Sequence, residues 1–68
     1  MVKEYVMVTQ TELYTLAIRA LEARIDSYTE KQTEHNREYI EAITEPLKAK
    51  AETIKHLYKI ETGTEYGG

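Results

Sequence analysis

The sequence contains no cysteine, no phenylalanine and no tryptophan. Without cysteine, neither a disulfide nor a thiolate-bound zinc ion can stabilise the chain. A domain of 68 residues is small, and such a domain buries only about 60% of its unfolded surface. Small domains without these cross-links depend on close helix packing or on association with another chain. The missing cysteines therefore leave either very good helix packing or oligomerisation as the source of stability.

Long apolar runs and an excess of positive charge are also absent. The chain has 9 Lys and Arg residues against 12 Asp and Glu residues, a net charge of −3. This balance does not suit a protein that binds nucleic acid with its whole surface. No apolar run approaches the roughly 20 residues of a membrane helix, and no apolar signal core follows the first residues. We therefore expect a cytoplasmic protein that does not contact membranes.

Residues that could carry out catalysis or bind a metal are few. The only serine is Ser27, and no glycine-rich loop precedes a helix. A carboxylate-bridged di-iron centre would need Glu-x-x-His motifs. Gln32 lies three residues before His35, and Thr53 lies three residues before His56, so this motif is missing. No catalytic residue, metal ligand or cofactor is predicted, and we expect a non-enzymatic protein.

The composition indicates amphipathic helices. Hydrophobic residues make up 41% of the chain and charged residues 31%, which is too apolar for a disordered protein. All 6 aromatic residues are tyrosines. Tyrosine suits half-buried positions, because its ring packs while its hydroxyl group stays in water. The predicted fold class is all-α, in a single small helical domain.

The two ends of the chain differ from its middle. Residues 1–8 are rich in β-forming side chains, which predicts a short extended arm that needs a neighbour to lie on. All three glycines lie within residues 61–68, which predicts a flexible tail.

The first helix has a clear start signal. Thr9 and Glu12 have the spacing of a capping box, in which the threonine is the N-cap residue. Val8 and Leu13 have the spacing of the hydrophobic staple that often accompanies it. Apolar residues then recur at helical spacing, which predicts a helix over residues 10–31.

The polar segment 29–38 allows two interpretations. It can be the turn of a helical hairpin, in which Thr33 caps the second helix and Asn36 adopts the left-handed conformation. It can also lie within one continuous helix, because a seam with coiled-coil spacing crosses it. That seam consists of Tyr14, Ile18, Leu21, Ile25, Tyr28, Gln32, His35 and Tyr39. We favour the hairpin, since its short connection gives a compact domain.

The second helix is predicted over residues 35–60, with an interruption at Pro46. Proline lacks the N–H group that would donate to the Ala42 carbonyl, and its ring clashes with that carbonyl. The sequence therefore predicts a kink at Pro46, or a break at which Thr44 or Glu45 caps a new helix.

Both helices carry broader apolar faces than a single hairpin can cover. We therefore expect two chains to pair into a four-helix bundle or a coiled-coil dimer, with another protein as an alternative partner. The residues expected at this association surface are Tyr14, Ile18, Leu21, Ile25, Tyr28, Tyr39, Ile43, Leu47, Ile54 and Leu57. The pattern favours an adaptor or other binding protein, and small acidic helical proteins are common among phage and mobile-element accessory products. A purely structural coiled coil is a further alternative.

A second candidate surface is basic. Lys48, Lys55 and Lys59 fall on one side of the second helix, roughly opposite its apolar side. These side chains could contact phosphates, so the alternative function is a small nucleic-acid-binding helical dimer. The same lysines would also suit an ordinary solvated face near the C-terminal end of a helix.

Overall fold

The computed structural model describes residues 9–67, which form two helices packed against each other. Helix α1 spans Gln10–Glu30 and helix α2 spans Arg37–Thr62. The predicted all-α helical hairpin is confirmed. The alternative of one continuous helix is wrong, because residues 31–36 leave the helical conformation. The arm predicted for residues 1–8 lies outside the described residues.

Helix α1 begins with the predicted capping box. The Thr9 hydroxyl oxygen accepts a hydrogen bond from the Glu12 backbone N–H at 3.1 Å. In return, the Thr9 backbone N–H donates to Glu12 Oε1 at 3.0 Å. Two N–H groups that have no partner inside the helix are thereby satisfied. The staple residue Val8 lies outside the described residues, so this part of the prediction stays untested.

Side-chain hydrogen bonds hold the turn between the helices. The Thr33 hydroxyl oxygen accepts the backbone N–H groups of His35 and Asn36, each at 3.2 Å. Asn36 Oδ1 accepts the Thr33 N–H at 2.6 Å, and Asn36 Nδ2 donates to the Lys31 carbonyl at 3.0 Å. Because these bonds fix the turn, α2 begins at Arg37, two residues later than predicted. The predictions of a left-handed Asn36 and of Thr33 as the cap of α2 are both wrong, since Asn36 has a φ of −112° and is itself the N-cap residue.

Helix α2 runs through Pro46 without a break. The predicted alternative, in which Thr44 or Glu45 caps a new helix, is therefore wrong. Thr44 instead lies inside α2 with only 2% of its surface exposed. A bend of the helix axis at Pro46 stays a prediction.

The segment after α2 folds back along the helix. Gly63 adopts a φ of 77°, which favours glycine, and its N–H donates to the Lys59 carbonyl. The ring of Tyr66 meets the ring of Tyr58 edge-on, with their centroids 5.4 Å apart. The Glu65 carboxylate lies 2.8 Å from Lys59 Nζ. This arrangement differs from the flexible tail expected, and we call residues 63–67 the C-terminal clasp.

The hairpin has a small apolar core. Among residues 9–67 the buried apolar side chains are Ile18, Ile40 and Ala51, of which Ile18 is 0% exposed. The polar Thr44 is buried with them, and its hydroxyl lies 3.5 Å from the Glu41 carbonyl. Most other apolar side chains that face the neighbouring helix are only half-buried. A core of this size contributes little of the stability that a folded domain needs.

The Thr9→Ala variant tests the capping box. Loss of the hydroxyl leaves the Glu12 N–H without its acceptor, so the free energy of unfolding should fall by about 1 kcal/mol. Chemical denaturation at one fixed protein concentration measures this loss. The control is Thr29→Ala, at an exposed position in the last turn of α1, which should change stability by less than about 0.5 kcal/mol. Equal losses in both variants would contradict the role of Thr9.

Candidate interaction surfaces

One side of the hairpin is charged. Glu22 and Asp26 of α1 line a groove of about 460 Å³ together with Lys48, Glu52 and Lys55 of α2. Within it, Lys55 Nζ lies 3.0 Å from Glu22 Oε2 and 3.8 Å from Glu52 Oε2. The contact with Glu22 joins the two helices across the groove. His56 and Lys59 lie one turn further along α2, after Glu52 and Lys55. We call the residues of the groove together with these two the charged face.

The ion pairs of the charged face shift the pKa values of their members. The hydrogen bond to Glu22 raises the pKa of Lys55. The hydrogen bond between Lys59 and Glu65 raises the pKa of Lys59 and lowers the pKa of Glu65. These groups lie near the surface, where such pairs contribute little stability. Their effect is to hold opposite charges together rather than to leave either free for a ligand.

The three lysines proposed to contact phosphates all lie beside carboxylates. Lys48 Nζ is 4.0 Å from Glu45, Lys55 is bonded to Glu22, and Lys59 is bonded to Glu65. A phosphate group would have to compete with these carboxylates for each lysine. The structure therefore brings the lysines to one side but surrounds them with negative charge, which weakens the case for nucleic-acid binding.

Helical geometry assigns a different set of residues to the opposite side. Residues two positions apart lie about 200° apart around a helix. Arg24 lies two positions from both Glu22 and Asp26 in α1. Lys50 lies two positions from both Lys48 and Glu52 in α2. Arg24 and Lys50 therefore point away from the charged face, on the other side of the hairpin.

Many neighbours of Arg24 and Lys50 on that side are apolar. Residues three, four, seven or eleven positions away share a side of a helix, and this spacing also places the polar Ser27, Lys31, Thr53 and Glu61 there. We call the large apolar residues of this side, with Ala17, the apolar face. It consists of Leu13, Ala17, Leu21 and Tyr28 in α1 and of Tyr39, Ile43, Leu47, Ile54 and Leu57 in α2.

Much of the apolar face is open to solvent. Tyr39 is 74% exposed, Leu13 is 49% exposed and Leu57 is 38% exposed. The remaining large side chains of the face are half-buried or, like Ile43, just exposed. Leu16 and Ile60 are also exposed but lie outside the face, so four of the six exposed large apolar side chains among residues 9–67 share it. Such a cluster on one side of a small protein is typical of a surface that binds another molecule.

The residues predicted for association divide into two groups. Ile18 is buried inside the hairpin, and Tyr14 and Ile25 are half-buried beside it. These three therefore contribute to the contact between α1 and α2. The others lie on the apolar face, namely Leu21, Tyr28, Tyr39, Ile43, Leu47, Ile54 and Leu57.

Sequence reasoning missed three features of these surfaces. Leu13 was considered only as the staple partner of Val8, although it lies on the apolar face. Lys50 was not predicted to lie among the apolar residues. It follows Ile43 by seven residues and precedes Leu57 by seven, and this spacing could have shown that the three share a side of α2. The contact between Tyr66 and Tyr58 has no local sequence signal, because it depends on the reversal of the chain at Gly63.

Within residues 9–67, no group of three or more potential metal-binding side chains comes together. Neither described helix combines the length and the apolar character needed to cross a membrane.

The C-terminal clasp should respond to acid. Because pairing with Lys59 lowers the pKa of Glu65 below its ordinary value of 4.5, the pair favours the closed clasp above that pH. This contribution is lost as the pH falls through the lowered pKa. Nuclear magnetic resonance should show the ring signals of Tyr66 shifting in that acidic range. Glu65→Gln should abolish the shift, whereas Glu41→Gln, at an exposed position outside the clasp, should retain it. An unchanged titration in Glu65→Gln would refute the clasp.

Comparison with known proteins gives no relative from which a function could be transferred. No family model matches the chain, and neither a curated protein nor a solved structure is significantly similar to it.

Proposed function

We propose that this chain is a non-enzymatic protein-interaction module that binds another protein chain through its apolar face. The observation that carries the proposal is the exposure of that face beside a very small core. Three apolar side chains are buried among the described residues, while Tyr39 remains 74% exposed. A partner that covered the face would add to the apolar surface that the hairpin buries alone.

The energetic argument follows from the size of these side chains. Full burial of a leucine or isoleucine side chain stabilises a protein by about 1.5–3 kcal/mol. Leu13, Ile43 and Leu57 are each at least one-third exposed. Covering them would therefore contribute at least one third of that free energy for each side chain. For a small domain whose total stability is about 5 kcal/mol, this contribution is large.

Two observations support a role in binding rather than in catalysis. The groove of the charged face is partly open to solvent, and Lys55 within it is already bonded to Glu22. A catalytic group needs a pocket that excludes water, and its pKa is usually shifted by burial there. The apolar face is a broad surface of two helices, which suits contact with another helix or pair of helices.

Site-specific photocrosslinking tests the proposal in cells that express the chain. The photoreactive residue p-benzoylphenylalanine replaces either Leu57 on the apolar face or the adjacent His56 on the charged face. Both positions are exposed, so the two probes differ mainly in the direction in which they point. We expect adducts with another polypeptide from position 57 and few from position 56.

Mass spectrometry of the adducts identifies the crosslinked chain. Adducts that contain a second copy or a different protein both support a protein-binding face. Adducts from position 56 alone, or none from position 57, would contradict the proposal.

A further inference from the structure

The two cations on the apolar face lie at the same level of the hairpin. The groove on the charged face is lined by residues 22–26 of α1 and residues 48–55 of α2, so these segments are side by side. Arg24 and Lys50 belong to these segments and point to the opposite side. Among residues 9–67 neither belongs to an ion pair. The middle of the apolar face is therefore positively charged.

This charge restricts how a second chain can cover the face. Two hairpins can meet face to face with a twofold axis parallel to the helices, so that α1 of each copy packs on α2 of the other. In this arrangement Arg24 of one copy would face Lys50 of the other. The same contact would occur twice because the interface is symmetric. Like charges placed together at an interface cost several kcal/mol, so this arrangement is disfavoured.

The apolar side of α2 also carries a carboxylate. Glu61 follows Lys50 by eleven positions, which places the two side chains about 20° apart around the helix. Both are exposed, and Glu61 belongs to no ion pair among the described residues. One side of α2 thus presents a cation in its middle and an anion in its last turn.

Antiparallel contact between two α2 helices joins these charges. In an antiparallel contact, two residues lie opposite each other when their residue numbers add up to a constant. Lys50 with Glu61 and Ile54 with Leu57 have the same sum. A register that places Lys50 of one chain opposite Glu61 of the other therefore also places Ile54 opposite Leu57. The symmetry then gives two Lys50–Glu61 pairs at the ends of a contact whose centre is apolar. This register aligns the C-terminal halves of the two α2 helices, residues 49–62, and it pairs both the charged and the apolar side chains of that half.

We propose that the partner of the apolar face is a second copy of this chain. Its α2 packs antiparallel against α2 of the first copy, with Lys50 of each chain paired with Glu61 of the other. This inference rests on the proposed function and identifies its partner. Four helices then meet in an isologous dimer, in which the α2 contact covers Ile54 and Leu57 of each chain while Tyr39, Ile43 and Leu47 lie outside it. The two charged faces remain on the outside.

Light scattering coupled to size-exclusion chromatography tests the dimer and its register. The mass of the unmodified chain should be twice 7.9 kDa. Lys50→Glu and Glu61→Lys should each weaken dimerisation roughly tenfold or more, because each variant places like charges together twice. The double variant Lys50→Glu/Glu61→Lys restores opposite charges and should recover the dimer.

Lys48→Glu is the matched control, because Lys48 lies on the charged face, and it should leave the mass unchanged. Circular dichroism confirms that each variant is still helical. If the chain is a dimer but the single variants dimerise normally, the proposed register is wrong. If the chain is a monomer whose Leu57 probe still crosslinks to a different protein, the second copy is wrong while the interaction module stands. A monomer that forms no crosslinks would overturn both.

Discussion

The structure depends on how little apolar surface one pair of helices can enclose. Each helix of a hairpin buries only the side that faces the other helix, so the core consists of Ile18, Ile40 and Ala51 with a few half-buried neighbours. The apolar side chains of α1 and α2 extend well beyond these positions. The chain has no cysteine for a disulfide, and no cluster of metal-binding side chains forms among residues 9–67. We therefore propose that further stability comes from surface that the hairpin leaves exposed.

The two sides of the hairpin meet this constraint differently. On the charged face, carboxylates and lysines form ion pairs between the helices and along α2, so the lysines of that side already have partners in water. On the apolar face, Arg24 and Lys50 lie among leucine, isoleucine and tyrosine side chains. In the dimer that we propose, the second copy covers Ile54 and Leu57 and places Glu61 beside Lys50. These two contacts select the proposed register.

The local elements could be predicted from the sequence because their signals are local. The capping box at Thr9 fixed the start of α1, and the all-polar segment between the helices indicated the turn. The end of that turn shifted because hydrogen bonds from Thr33 and Asn36 compete with the first turn of α2. Pro46 suggested a break that the structure does not have.

The composition of the candidate surfaces was harder to predict. Periodicity shows which residues share a side of one helix, but not how far each side is turned towards the other helix. Ile18 and Leu13 both belong to the apolar pattern of α1, yet the first is 0% and the second 49% exposed. The salt bridge between Lys55 and Glu22 joins residues far apart in the chain, and only the packing of the helices shows that the lysines are paired.

The most direct test of this account is the dependence of the unfolding temperature on protein concentration. If the hairpin is stabilised by a partner chain, association favours the folded state by mass action. The midpoint of thermal unfolding should then rise by several degrees over a hundredfold increase in concentration. A midpoint that does not change over this range would show that the hairpin is stable by itself, and it would contradict the central claim.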